Sequence, residues 1–249
     1  MYKIQHEYPE TVWRINEKSS TYYSIVYKEF INNLNDIEKS DFNDIEQLQQ
    51  KKRALYDDFH VITVFSVMTI ETFVNDYLAV CLTDDFYYSN LDKLNLLQKI
   101  EILFSLVWKI PIDKSKSLYK NLKEIIKKRN QFVHTKSHNF DYTKCIENNG
   151  LKTITYTDLD DYEFQYIVHL QADIVDFLQD SFCSIKTIYF FLKTIDEHDA
   201  NRHAIISTMG WMKEEILIGN QLVSEIEKQI ENIEKRIQNI KKKMNIVKN

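Results

Sequence analysis

The chain has 249 residues and a formal net charge of −5, which allows one large or two small domains. It contains only 3 Gly and 2 Pro, far below ordinary usage, and the scarcity of these turn-forming residues excludes an architecture of many short elements. Long elements rich in Lys, Glu, Ile, Leu and Asn are helices, and a hydrophobic fraction of 44% supplies a core. We therefore expect an all-α helical bundle.

Three further features of the sequence predict where in the cell the protein is located. The first residues lack the apolar stretch of a signal peptide, and no window of about 18 uncharged apolar residues is present. The three cysteines have no CxxC spacing, which indicates reduced thiols and not a disulfide framework or a zinc site. We expect a cytoplasmic protein with no membrane span and no metal site.

Hydrophobic periodicity predicts the first four helices. The first runs from about Glu10 to Asn35, and the second from about Asp44 to Leu82. The third covers roughly Leu91–Trp108, and the fourth about Lys116–Val133. The second helix is apolar over much of its circumference, which predicts a central position in the bundle; the residues concerned are Val64, Val67, Met68, Ile70, Phe73, Val74, Tyr77 and Leu78.

The helical pattern stops after the fourth helix and then resumes. A turn signal at Asn148–Gly150 and a weak alternation beyond it predict a small hairpin insertion at residues 145–157. A fifth long helix follows, from residues 158–161 to about Ile195. The bundle thus has five to six long helices, the last of which carries an a/d heptad seam: Val223, Ile226, Ile230, Ile233, Ile237, Ile240 and Met244. The seam predicts either a coiled coil or a helix packed along the bundle, and both alternatives stay open.

The most basic segment of this acidic chain runs from Lys114 to His138. Eight Lys or Arg against one acid, Glu124, give it a charge of +7, so the remainder carries −12. A local positive field of this size predicts a site for a phosphate-bearing polymer, although a solvated helix face is the common alternative. The residues predicted to bind RNA are Lys120, Lys123, Lys127, Lys128, Lys136 and His138.

Within this segment, Arg129, Asn130 and His134 form an Arg-Asn-x-x-x-His motif near the end of the fourth helix. The central second helix carries Glu71 and Asn75 on one face, four residues apart. A carboxylate in an apolar run needs a partner, so we expect Glu71 to pair with an arginine.

This motif in an all-helical chain resembles the HEPN superfamily, whose signature is an arginine, four to six residues, and a histidine. The resemblance covers residues 40–195, and it leaves outside an N-terminal helix at 1–39 and the heptad helix at 196–249. A second pair with an allowed spacing, Arg53 and His60, lies at the charged start of the second helix and lacks the asparagine.

The resemblance implies metal-independent cleavage of RNA without a cofactor. It implies Arg129, Asn130 and His134 as catalytic residues, with Glu71 and Asn75 in support. HEPN domains serve toxin–antitoxin and antiviral abortive-infection systems, commonly as homodimers in which two motifs meet. The implied partners are therefore RNA, a second copy, and an antitoxin or regulatory protein.

The residue types suit this reaction. A histidine titrates near neutral pH and can remove the proton of an RNA 2′-hydroxyl, which then attacks the adjacent phosphorus. An arginine stays charged and can stabilise the phosphorane-like transition state. Arg129 and His134, however, are about 140° apart around an ideal helix, so the arginine must reach round or the helix must loosen.

Two alternatives compete with the nuclease hypothesis. In one, Arg129 is a structural partner of Glu71, and His134 caps the helix C-terminus, where a cation is favoured. The chain is then a non-catalytic helical module that recognises RNA, a nucleotide or a protein. In the other, the heptad seam makes the chain a coiled-coil scaffold.

Overall fold

A computed structural model describes residues 18–134, 159–198 and 219–244, and every regular element in these ranges is helical. This confirms the all-α bundle predicted from the Gly and Pro deficit. The predicted hairpin at 145–157 lies outside the described residues. The seven α-helices are α1 (Lys18–Glu38), α2 (Ile45–Leu82), α3 (Asp84–Asn90), α4 (Leu96–Ile102), α5 (Ser117–Val133), α6 (Leu159–His198) and α7 (Gly219–Lys243).

Helix α2 is the centre of the bundle. Its N-cap Asp44 accepts a hydrogen bond of 3.0 Å from the backbone N–H of Gln47, and 38 residues without Gly or Pro follow. It packs against α1, α5 and α6 because apolar residues surround much of its circumference. The central position is confirmed by the buried members of the predicted set: Val67, Ile70, Phe73, Val74, Tyr77 and Leu78.

One window of 18 residues in α2 is apolar enough, by length and composition, to cross a membrane if two charges are tolerated. No window of this length is free of charged residues, as the sequence analysis required. Of this window, 56% is buried inside the bundle. A helix at the centre of a packed core meets the same criteria of length and composition, and α2 has that position.

The third predicted helix, Leu91–Trp108, begins too early, whereas its predicted end agrees with the structure to within one residue. Thr83 ends α2 with φ of 75°, and its hydroxyl then accepts the Phe86 N–H to begin the short helix α3. Helix α4 begins only at Leu96, after a capping box between Asn95 and Gln98, and continues into one π-helical turn over Leu103–Val107. Local side-chain caps thus set two helix starts, at Asp84 and Leu96, that apolar periodicity did not predict.

The seam of α7 is buried within the chain. Helix α7 lies against α6 and α1, and Arg236 of α7 binds Glu38 of α1 at 2.8 Å. The structure therefore has the second of the two alternatives, a helix packed along the bundle. Val223 lies among residues whose side chains the structure does not describe; the buried seam residues are Ile226, Ile230, Ile233, Ile237, Ile240 and Met244.

One hydrophobic core joins residues from Tyr23 in α1 to Met244 after α7. Side chains of all three sequence segments, 1–39, 40–195 and 196–249, contribute to it. Helix α5, which carries the motif, packs on this core through α2 and α6.

Candidate functional site

The candidate site is built on α5, whose two faces differ sharply. Leu122 and Ile125 are buried, and Leu118, Ile126 and Phe132 are half-buried around them. The helix stays regular through Val133. Its C-cap is His134, whose backbone N–H donates to the Asn130 carbonyl at 3.0 Å.

Arg129 belongs to the packed face. It lies three residues before Phe132 and four after Ile125, and its Nη2 donates to the Oε2 of Glu71 on α2 at 2.8 Å. Side-chain exposure is 21% for Arg129 and 32% for Glu71. The expectation that Glu71 has an arginine partner is confirmed. The Nε of Arg129 is buried and has no hydrogen-bond partner in the described part of the chain.

Asn75, one turn beyond Glu71, binds a lysine that the sequence did not point to. The ammonium of Lys99 on α4 donates to Asn75 Oδ1 at 2.9 Å and to the Tyr87 hydroxyl at 3.0 Å. Lys99 is only 3% exposed, and burial lowers its pKa while the nearby Glu71 charge opposes that shift. Burial also raises the pKa of Tyr87 to about 12. Lysines are rarely buried, so no sequence pattern pointed to Lys99 as an interior residue.

Glu71 thus binds the guanidinium group of Arg129, and Asn75 binds the ammonium group of Lys99. Both pairs join α2 to a neighbouring helix, one to α5 and one to α4. Glu71 and Asn75 therefore join helices, and their predicted support of a catalytic site stays a prediction.

The opposite face of α5 is a polar stripe. Five exposed residues spaced by three and four positions lie within about 80° of the helix circumference, on the side opposite the buried leucine and isoleucine. We call them the α5 stripe: Lys120, Lys123, Lys127, Asn130 and His134. Three of the predicted RNA-binding lysines and two of the three predicted catalytic residues are therefore contiguous on the surface.

Other cations of the basic segment are engaged elsewhere. Lys128 pairs with Asp180 of α6 at 2.9 Å and lies 5.3 Å from the ring centroid of Phe59. Lys114 pairs with Glu101 at 2.6 Å. Together with the Arg129 pair, these contacts neutralise three of the eight basic residues. Lys128 consequently lies off the stripe with which the sequence grouped it, and Lys136 and His138 lie outside the described residues.

The structure does not bring Arg129 and His134 together. Because α5 remains helical to Val133, the two side chains keep their separation of about 140°, one towards the bundle and one towards solvent. Neither the loosened helix nor the arginine reaching round is present. Within one chain, the Glu71–Arg129 pair of the structural alternative is present, and His134 is the C-cap residue through its backbone N–H.

The pair set aside on sequence grounds is also positioned at this end of α5. Arg53 is exposed, but His60 is half-buried, and its ring lies 4.0 Å from that of Phe132. The description of both as part of an exposed, charged start of the helix is wrong for His60. The sequence signal for the half-buried position of His60 was an aromatic residue four positions earlier, Tyr56, whose ring contacts the His60 ring.

A groove of about 890 Å³ lies away from the motif, between the first turns of α5 and the second halves of α6 and α7. It includes Cys183, whose thiol pKa is raised by burial, and the Lys186–Glu234 ion pair. None of the predicted site residues lines it. Among the described residues, no group of three His, Cys, Asp or Glu side chains is placed to hold a metal ion.

Comparisons of the chain with family models, with curated proteins and with solved structures gave no match. The HEPN resemblance therefore depends on the motif residues and on the helical order of this chain.

Proposed function

We propose that this chain is a HEPN-like, metal-independent endoribonuclease of the cytoplasm that binds RNA along the α5 stripe and acts as a toxin or abortive-infection effector. The observation that carries the proposal is the stripe itself. Three exposed lysines, unpaired within the described residues, lead directly to an exposed Asn130 and His134 at the helix end. A cationic row that tracks a phosphate backbone and ends at an acid–base group is the arrangement that cleavage of RNA requires.

The reaction assigns the chemistry to His134. Its imidazole removes the proton of a 2′-hydroxyl, the 2′-oxygen forms a bond to the adjacent phosphorus, and the bond to the 5′-oxygen breaks. The leaving 5′-oxygen takes up a proton from water, which gives a 2′,3′-cyclic phosphate and a 5′-hydroxyl, and His134 then releases its proton to water. Asn130 lies one turn before His134 on the same stripe and can donate its amide N–H to a phosphate oxygen.

Arg129 has a more restricted role than the motif implies. Its described hydrogen bond to Glu71 uses one of five guanidinium N–H groups, and about a fifth of its side chain is exposed. We assign Arg129 first to the positioning of α5 on α2, and second to phosphate contact through the donors that Glu71 leaves free.

Substitution of His134 tests the catalytic assignment. His134→Ala should lower cleavage of a single-stranded RNA by at least about 100-fold, and activity of the wild type should persist in EDTA. His169→Ala is the matched control, since His169 is also exposed but lies on α6. Products should end in 2′,3′-cyclic phosphate. Full activity of His134→Ala, or loss of wild-type activity on chelation, would refute the assignment.

Substitution of the lysines tests the stripe. The triple change of Lys120, Lys123 and Lys127 to Gln should weaken RNA binding and reduce the slope of log affinity against log salt by about 2. The control is a triple Lys→Gln variant on α7, at Lys228, Lys235 and Lys242, which are equally exposed. Equal losses in the two triple variants would mean that net charge, and not the stripe, determines binding.

A second function has its own supporting observation. The Glu71–Arg129 ion pair faces the bundle, as expected of a helical module that binds RNA or another partner without cutting it. That function predicts salt-dependent RNA binding in the wild type, no cyclic-phosphate product, and no difference between the wild type and His134→Ala in cellular toxicity.

We further propose that the active form is a homodimer in which two α5 ends meet. The α7 seam is buried within the chain, so it does not supply the interface, and removing residues after Gly219 would open the core. Val133, 52% exposed beside His134, is the apolar surface at the right place. Light scattering should give about twice the 29.9 kDa chain mass, and Val133→Asp should halve that value and abolish cleavage. A monomer with intact activity would exclude the composite site.

A further inference from the structure

A small recess lies where the first half of α2 meets α6. Its volume is about 290 Å³, and it is lined by Lys52, Arg53, Tyr56, Asp57 and Phe177. Two aromatic rings provide its apolar wall, and two cations and one carboxylate surround them. None of these residues has a role in the proposed cleavage step.

The ring of Tyr56 is exposed and yet held in place. His60 contacts it edge-on, with centroids 4.4 Å apart at 86°, and Phe177 contacts it at 5.7 Å and 74°. These two neighbours fix the ring from its own helix and from α6, while 51% of Tyr56 remains open to solvent. A flat aromatic surface that is already ordered can stack on a base with little further loss of side-chain entropy.

The recess lies beyond the C-terminal end of α5, the end at which the α5 stripe reaches His134. Arg129 contacts Glu71, whereas Phe132, further along α5, contacts His60, so α5 runs against the direction of α2. A strand that passes from Lys120 to His134 therefore heads towards the first half of α2. Tyr56 is one helical turn before His60, just beyond the end of α5.

The polar groups match the other parts of a nucleotide. Arg53 is exposed, and no ion pair engages it in the portion of the chain that the structure describes. It can bind a phosphate, while Lys52 pairs with Asp173 of α6 at the edge of the recess. The exposed carboxylate of Asp57 can accept a hydrogen bond from an amino or imino group of a base.

From this geometry we propose that the Tyr56 recess binds one unpaired base of single-stranded RNA adjacent to the cleavage site. The inference extends the proposed function, because it names single-stranded RNA as the substrate class. A base within a duplex is stacked on both faces and paired along one edge, so it cannot present a free face to Tyr56. The recess thereby favours single strands over duplexes.

Binding of a fluorescein-labelled 10-nucleotide RNA, measured by anisotropy in the His134→Ala background, tests the proposal without cleavage. Adding Tyr56→Ala should weaken single-strand binding at least about fivefold, whereas Tyr56→Trp should retain it. Affinity for the same RNA annealed to its complement should change less than twofold. Tyr88→Ala, which removes a tyrosine that is 60% exposed on α3, is the matched control.

Unchanged single-strand binding by Tyr56→Ala, or an equal loss for the duplex, would overturn the proposal. If Tyr56→Ala does not fold, photocrosslinking of the wild type to RNA containing 5-bromouridine replaces it. The crosslink should fall within residues 52–57, and crosslinks found only elsewhere would overturn the proposal.

The two proposals fail separately. If RNA binding depends on Tyr56 but no cleavage occurs, the nuclease proposal fails and the recess proposal stands. If cleavage depends on His134 but Tyr56→Ala leaves binding unchanged, the recess proposal fails and the nuclease proposal stands.

Discussion

Two arginines of this chain are each bound by a glutamate of another helix, but their guanidinium groups are used differently. Arg236 on α7 donates from Nε and Nη2 to the two carboxylate oxygens of Glu38 at 2.8 and 2.9 Å, and from Nη2 to Asn35 at 2.7 Å. Arg129 on α5 donates one bond of 2.8 Å to Glu71, and its Nε has no partner among the described residues.

The difference separates two kinds of contact. Arg236 acts as a clamp, because three hydrogen bonds hold its guanidinium group, whereas a single bond holds that of Arg129. The hydrogen bond from Arg236 lowers the pKa of Glu38, and the bond to Glu38 raises the pKa of Arg236, as expected of a well-matched fork. Arg236 therefore has few donors left for a ligand, and its contacts fasten α7 to α1. Arg129 makes one described hydrogen bond and its Nε is buried, so only its terminal Nη donors remain for a phosphate oxygen.

The largest expected effect is on RNA cleavage. Arg129→Ala should lower the rate at least about 100-fold, the usual effect of removing a charged donor from a transition state. Arg236→Ala should stay within about threefold of the wild type at a temperature where circular dichroism shows both variants to be folded. Arg129→Lys, which keeps the charge and loses the planar fork, should fall between them. Activity losses that follow only the folded fraction would make Arg129 a clamp as well.

A smaller effect is expected on stability, with the order of the two sites reversed. Glu38→Gln weakens a clamp of three hydrogen bonds and should lower the free energy of unfolding by about 1–3 kcal/mol. Glu71→Gln weakens a single hydrogen bond, between side chains as exposed as those of the Arg236–Glu38 pair, and should cost about 1 kcal/mol or less in urea titrations. Because it releases Arg129, Glu71→Gln should keep cleavage within about threefold of the wild type. A loss as large as that of Arg129→Ala would mean that the pair acts only as a brace.

The contrast between the two arginines also marks how far the sequence predicts the fold. The positions of α2, α5 and α6 follow from apolar periodicity, and the need of Glu71 for an arginine follows from the high free energy of a carboxylate in an apolar run. The seam of α7 could not be assigned, because the same isoleucine spacing packs equally well on a second copy and on α6. Asn95 and Gln98, by contrast, formed a readable capping box that would have moved the predicted start of the third helix from Leu91 to Leu96.

The site was less predictable than the fold. Spacing showed that Arg129 and His134 lie on different faces, and the structure keeps them there. Spacing could not show that Lys128 pairs with Asp180 of α6, because that contact depends on a residue 52 positions away. The recess at Tyr56 is likewise invisible in the sequence, since it forms only where α2 and α6 meet.

The smallest predicted effect concerns pH and the Arg236 clamp. The folded-state pKa of Glu38 lies below its ordinary value of 4.5, so its ionised form stabilises the folded chain at any pH above about 4.5. That contribution is lost as the pH falls through the folded-state pKa. The raised pKa of Arg236 has no influence in this range, since arginine stays charged.

Burial and the Glu29 charge raise the pKa of Asp58, which acts in the opposite sense, so the pH dependence of the wild type alone does not isolate Glu38. The measurement is the difference in unfolding free energy between the wild type and Glu38→Gln. It should be constant from pH 7 to about pH 5 and shrink towards zero below about 4.5. The same difference for Glu71→Gln should be smaller throughout. A Glu38 difference that stays constant into acid would mean that the carboxylate is not the clamping species, and the contrast between the two arginines would then lose its electrostatic basis.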